Sequence, residues 1–140
     1  LEPGRSISGN AGVLITKVEY IKEKYLIIDA GMNDLIRPAL YKAKHKVVNI
    51  EKGKSFPKKW TIVGPICESS DVLAKDYKLD ASEGDILAVK TVGAYGHVMS
   101  SNYNSRRKPP EILVDGNEFR IIRKRESYKD LIKNEVDIES

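Results

Sequence analysis

The chain has 140 residues, a formal net charge of +4, 41% hydrophobic and 31% charged residues, and a single cysteine. That length suits one domain with a real core and excludes two large ones, and the balance of residues is that of a soluble, globular protein. No apolar run is long enough to span a bilayer, the opening LEPGRSISGNAG does not read as a secretory leader, and one cysteine excludes an internal disulfide framework and suits a reducing cytosol.

In chain order, the Glu2-Pro3-Gly4-Arg5 turn comes first, followed by the small, helix-compatible Ser6 to Gly12. The chain starts at Leu1 rather than Met, and reads as a piece of something longer. Val13 to Lys22 is rich in β-branched residues and alternates, which predicts a strand. Tyr25 to Ala30 is a short apolar run, read as a buried strand. Asn33 to Lys44 has helical character; Asn33 can cap it, yet Pro38 tolerates only a first-turn place and moves the start toward itself. Lys46 to Ile50 is strand-like, and Gly53 to Lys59 is a polar loop. Trp60 to Cys67 reads as a strand interrupted by Gly64-Pro65, with Leu79 to Glu83 as a connector. Asp85 to Val92 is a further strand, and Gly93 to Asn104 a loop or short helix. Glu111 to Asp115 and Glu118 to Lys124 flank Gly116-Asn117, a two-residue hairpin turn. Ser127 to Asn134 suits a closing helix. Six or seven strands joined by short loops predict an antiparallel barrel or sandwich.

Four stretches hold residues that folding alone does not demand. In Glu2-Pro3-Gly4-Arg5, glycine lets a backbone approach an anion and arginine matches phosphate or carboxylate as a fork; by itself the stretch reads as a turn with surface charges. Arg37 and Tyr41 share a helical face at a spacing of four, a cation beside a hydroxyl, although Pro38 biases Arg37 away from helical angles. Cys67-Glu68 follows a strand that breaks. In a regular strand the two side chains point to opposite faces, whereas a break there could aim both at one place. A lone cysteine is more often a small core residue. In Gly93-Ala94-Tyr95-Gly96, two glycines free the backbone around an exposed phenol. His45 and His97 show no metal-ligand spacing with Cys67 and read as structural, so no metal is expected. The basic clusters Arg106-Arg107-Lys108 and Arg123-Lys124-Arg125 read as a solvated loop and a strand end, not a nucleic-acid surface.

Taken in order, EPGRSISGNAG, DAGMNDLIRPALY, GPICESSD and EGDILAV…GAYGHVMSSNYNSR resemble the C-terminal part of the diaminopimelate decarboxylase family, from Leu1 to about Leu131. The family belongs to the fold III pyridoxal-phosphate enzymes, in which a TIM barrel precedes a β-domain. The resemblance implies a mainly β chain: residues 1–12 would be the last strand, turn and helix of the TIM barrel, and residues 13–140 the C-terminal β-barrel or sandwich domain. It implies decarboxylation of meso-2,6-diaminopimelate to L-lysine and carbon dioxide, the last step of lysine biosynthesis, with pyridoxal 5′-phosphate as electron sink. A related decarboxylase of another basic amino acid and an inactive regulatory homologue remain as alternatives.

By the same resemblance, Glu2 would meet the cofactor's pyridine nitrogen, Gly4 would let backbone amides reach its phosphate, and Arg5 would sit on the phosphate or a substrate carboxylate. Tyr95 would bond the phosphate and border the substrate. The far end of the substrate carries an ammonium and a carboxylate, so a selective site needs an anion and a cation there. Glu68 resembles the ammonium partner, and Arg37 with Tyr41 the carboxylate clamp. Cys67 would be the proton donor, reaching with Glu68 into the partner subunit's site of a cytoplasmic homodimer. The cofactor's lysine would lie upstream of Leu1, so the lone chain is expected to be inactive.

Overall fold

A computed structural model describes residues 1–51 and 56–136. It divides into two compact units, Leu1–Ser100 and Ser101–Ser140, and residues 1–12 fall within the first. The first unit contains α1 (Arg5–Ser8), β1 (Val13–Lys22), β2 (Tyr25–Ile28), α2 (Arg37–Tyr41), β3 (Val47–Asn49), β4 (Lys58–Val63), β5 (Val72–Leu79) and β6 (Ile86–Lys90). The six strands form one sheet in the order β3-β6-β1-β2-β4-β5, antiparallel at every pairing except β2 with β4. The parallel pair follows from the long crossover through α2 and β3.

The sheet curls until its edges meet. Tyr77 on edge strand β5 reaches edge strand β3, where its hydroxyl accepts the Val47 amide at 2.9 Å and donates to the Val47 carbonyl at 3.0 Å. One phenol therefore satisfies a donor and an acceptor that an open edge would leave unpaired, giving a near-closed, barrel-like sheet. Inside lie Val18, Leu26, Ile28, Ile62, Leu87 and Val89, all fully buried, with Leu35, Val47, Trp60 and Leu79 around them. Each such side chain contributes about 1.5–3 kcal/mol on burial. The Trp60 indole donates to the Leu79 carbonyl at 2.9 Å, fixing β4 against β5.

Most expected strands are present with shifted ends, and β1 matches residue for residue. β5 is the correction: the sequence reading places no strand over Val72–Leu79 and gives Leu79 to the connector. Its alternation is broken by a bulge. Between Ile62↔Ala74 and Trp60↔Tyr77, β4 advances two residues and β5 three, and Asp76 absorbs the extra one at φ 50°. The inward phase flips there, so no period of two runs through the segment. The helix begins at Arg37 with Pro38 in its first turn, not at Asn33, which is buried in the turn before it. Arg37 is helical despite preceding a proline. The strand from Trp60 stops at Val63, and β4 starts at Lys58, inside the expected loop. Residues 53–55 of that loop lie outside the described residues.

In the second unit, β7 (Glu111–Asp115) and β8 (Glu118–Arg123) form the expected hairpin, with Gly116 at φ 58° in the first central position. Helix α3 (Tyr128–Ile132) is shorter than expected but starts where expected. The Ser127 hydroxyl accepts the Asp130 amide, and the Asp130 carboxylate accepts the Ser127 amide. Glu126 accepts the Lys108 amide at 2.8 Å, which holds its carboxyl below the usual carboxylate range. Both faces of the hairpin leave apolar side chains exposed: Val114, Phe119 and Ile121 on one, Leu113 and Ile122 on the other.

Replacing Tyr77 with phenylalanine keeps the ring and strands the Val47 amide and carbonyl. The expected cost is about 1–3 kcal/mol. It should appear in urea unfolding as a lower midpoint with an unchanged slope; an unchanged midpoint would mean that the phenol does not close the sheet.

Candidate active site

The first and fourth singled-out stretches meet. The segment Gly9–Gly12 lies against the end of β6: the Gly93 amide donates to the Gly9 carbonyl at 3.1 Å, and the Val92 amide to the Gly12 carbonyl at 3.0 Å. The two backbones touch so closely that a Cβ on Gly12 would stand 2.4 Å from the Gly93 Cα. Glycine at both positions is therefore a condition of the contact. It brings α1 and the turn before it against the Gly93–Gly96 loop.

In that loop Tyr95 sits at φ 61°, a left-handed conformation that costs a non-glycine residue on the order of 1–3 kcal/mol and concentrates at functional sites. Its phenol lies over Gly4, where a Cβ would come within 2.3 Å of the phenol oxygen. Its ring faces the Arg37 guanidinium at 5.7 Å, a cation–π contact. Arg37 opens α2, and its Nε is buried without a hydrogen-bond partner. Gly4, Arg37 and Tyr95 thus form one cluster drawn from three separate segments.

His45 belongs beside this cluster, which the sequence did not indicate. After α2, Lys42 turns left-handed at φ 54° and the chain doubles back toward β3. His45 is 5% exposed, and its Nδ1 lies 3.0 Å from the Lys90 carbonyl. A carbonyl only accepts, so Nδ1 carries the proton. Burial lowers the pKa of His45; the Lys90 hydrogen bond opposes that, and the charges of Arg37 and Arg5 lower it further. The ring is neutral at pH 7, and Nε2 is an acceptor, buried with no partner. The buried, unpaired Arg37 donor and the two positive charges suit an anionic ligand.

The other candidates stand apart from these contacts. Glu2 and Arg5 are exposed, as is Tyr41 at the end of α2. Cys67 and Glu68 are exposed on the loop after β4, which leaves the strand at Gly64 as its glycine-proline pair implies. This loop closes on itself. The Gly64 amide donates to the Asp71 carbonyl at 3.1 Å, the Glu68 amide to Ile66 at 2.8 Å, and the Asp71 amide to Glu68 at 3.0 Å. Cys67 is thus not a core residue. Among the described residues, no three His, Cys, Asp or Glu side chains are placed to hold a metal ion.

The arrangement has known counterparts. Residues 7–93 match the family described as pyridoxal-dependent decarboxylase, C-terminal sheet domain. The chain belongs to this family. It is 49% identical to a diaminopimelate decarboxylase of Neisseria meningitidis serogroup A over 97% of the chain and 34% of that protein. Among solved structures, the diaminopimelate decarboxylase of M. jannaschii in complex with L-lysine superposes with a TM-score of 0.93 at 46% identity, over 99% of this chain and 33% of that one. The Helicobacter pylori enzyme with L-lysine does so at 0.88 and 48%, over 94% and 34%. The chain spans about a third of the length of the relatives it matches. The family places it with proteins that use pyridoxal, and the mainly β, barrel-like sheet is the fold of that family's C-terminal domain.

The buried neutral His45 has a consequence for stability. The unfolded chain takes up a proton at about pH 6.5, the folded chain only at lower pH. The unfolded state then binds more protons, so this contribution is complete above pH 6.5 and is lost as the pH falls below it. An asparagine can still donate to Lys90 and does not titrate. The wild-type advantage over His45→Asn in urea unfolding should be constant above about pH 7 and shrink by pH 5; a pH-independent difference would contradict a buried neutral imidazole.

Proposed function

We propose that the protein containing this chain converts meso-2,6-diaminopimelate to L-lysine and carbon dioxide in the cytoplasm, as a homodimer with shared active sites. Close likeness along nearly the whole chain to proteins of that activity carries this reading. The site adds support, because its chemistry fits the ligands. A phenol over a bare Cα, a buried unpaired guanidinium N–H and two positive charges suit phosphate and carboxylate groups.

The roles divide as follows. Residues 1–12 act as the end of a preceding barrel, and residues 13–140 as the β-domain. Glu2 would hold the proton on the cofactor's pyridine nitrogen, Gly4 and Arg5 would border its phosphate, and Tyr95 would donate to that phosphate and line the substrate. When bound, pyridoxal phosphate supplies an electron sink for the pair left by departing carbon dioxide. Arg37, steered by its stacking on Tyr95, takes the distal carboxylate of the substrate with Tyr41. Glu68 takes the distal ammonium. Only a substrate with both groups satisfies both residues, and one lacking the carboxylate leaves Arg37 unpaired. Cys67 delivers its thiol proton to the carbon that has lost carbon dioxide. A thiol is a stronger acid than an alcohol of the same size, so a positioned one can serve as general acid to carbon.

Cys67 and Glu68 stand on a loop apart from the Gly4–Arg37–Tyr95 contacts, which suits service in the partner subunit's site. Mixing two inactive full-length forms tests this: Cys67→Ala, and a form lacking the cofactor's lysine. After random exchange, half the dimers are mixed and each holds one complete site, so about a quarter of wild-type activity should return. No recovery despite proven subunit exchange would mean that Cys67 serves its own subunit or none.

A further inference from the structure

Asp71 takes no part in the chemistry above, yet it is 5% exposed and its carboxylate joins two separate segments. Oδ2 accepts the Ile66 amide at 2.7 Å, one residue before the thiol, and Oδ1 accepts the Met32 amide at 2.7 Å, in the turn that leads into α2. Its backbone adds bonds to Gly64 and Glu68, so Asp71 touches the Cys67–Glu68 loop at three points and the neighbouring turn at a fourth. Room for the carboxylate comes from Gly64, where a Cβ would lie 2.4 Å from Oδ2. The Ser70 hydroxyl adds a weaker tie to the Met32 sulfur at 3.6 Å.

We propose that Asp71 is a positioning residue that fixes the Cys67–Glu68 loop against the turn launching α2, so that one buried carboxylate sets the place of the thiol. The proposal rests on the role given to Cys67 above. Two acceptor oxygens on one short side chain are needed, because both partners are backbone donors. An asparagine offers one acceptor and turns an NH₂ group against the other amide. Cys67, Glu68, Ser69 and Ser70 of the loop are exposed. Displacing a reacting group by about 1 Å costs on the order of 10²-fold in rate.

The test is a double-mutant cycle on the full-length holoenzyme, following kcat for carbon dioxide release from meso-diaminopimelate. Asp71→Asn should lower kcat about 10- to 100-fold, with the cofactor's absorbance spectrum close to wild type and the enzyme still folded at the assay temperature although its melting temperature falls. In a Cys67→Ala background the same change should cost almost nothing further in kcat, because there is no thiol left to misplace, while displacement of Glu68 is read in KM. Losses that multiply would overturn the proposal while leaving the role of Cys67 intact. A Cys67→Ala enzyme as fast as wild type would remove that role, and the proposal with it, before the cycle is built. If Asp71→Asn does not fold, amide exchange in the wild-type enzyme decides. Met32 and Ile66 amides protected well beyond those of the adjacent exposed residues support the clamp; exchange at open-loop rates overturns it.

Discussion

A single phenol closes the sheet on which everything else stands. β3 and β5 are the two edges of a six-stranded sheet, and Tyr77 joins them by pairing both backbone groups of Val47. Without that bridge, β3 is a three-residue edge strand paired to β6 on one side, with Asn49 at its end donating to Asp80 and Asp85. With it, the segment entering β3, including His45, has a fixed place, and so does β5, which begins directly after Asp71. Helix α2 packs on β5, so the Arg37 helix and the Cys67–Glu68 loop are both referred to the same strand. The curl of the sheet thus sets the site through the ends of its strands, where loops can vary without disturbing the core.

Around that frame, local preference is overridden where ligand chemistry is expected. Tyr95 holds a left-handed backbone, and Arg37 and His45 each bury a polar atom without a partner. Each costs stability in the isolated chain, and the cost is lower if a ligand supplies the missing bond. The anchors nearby are regular by comparison: paired glycine backbones at Gly12 and Gly93, and a carboxylate at Asp71 that meets two amides.

Much of this was legible in the sequence, for reasons that can be named. β1 is rich in β-branched residues, and both of its boundaries could be read. Gly116-Asn117 and Ser127 carry turn and cap chemistry in their side chains, so the hairpin and the start of α3 were read directly. β5 was not, because its bulge at Asp76 shifts the phase by one residue and erases the period. The helix start was drawn too early because Asn33 is a good cap by type, while here it is buried in a turn. Of the site, the four motifs were visible as strings, and Gly4 with Tyr95 and Arg37 came together in space. What the strings could not show was long-range pairing. Asp71 was quoted as the end of GPICESSD, yet its partner at Met32 lies 39 positions away. His45 reads as structural because it has no metal-ligand spacing with Cys67; its partner, the Lys90 carbonyl, lies 45 positions away.

The central claim is that this chain belongs to an enzyme selecting a substrate with a charged amino-acid group at each end. The direct measurement is carbon dioxide release by the full-length protein with pyridoxal phosphate, compared across meso-diaminopimelate, ornithine, arginine and lysine. The account expects one lysine formed per carbon dioxide from meso-diaminopimelate, and kcat/KM at least about 10³-fold lower for the three amino acids that lack the distal carboxylate. Comparable kcat/KM for any of those three, or no release from meso-diaminopimelate, would contradict it.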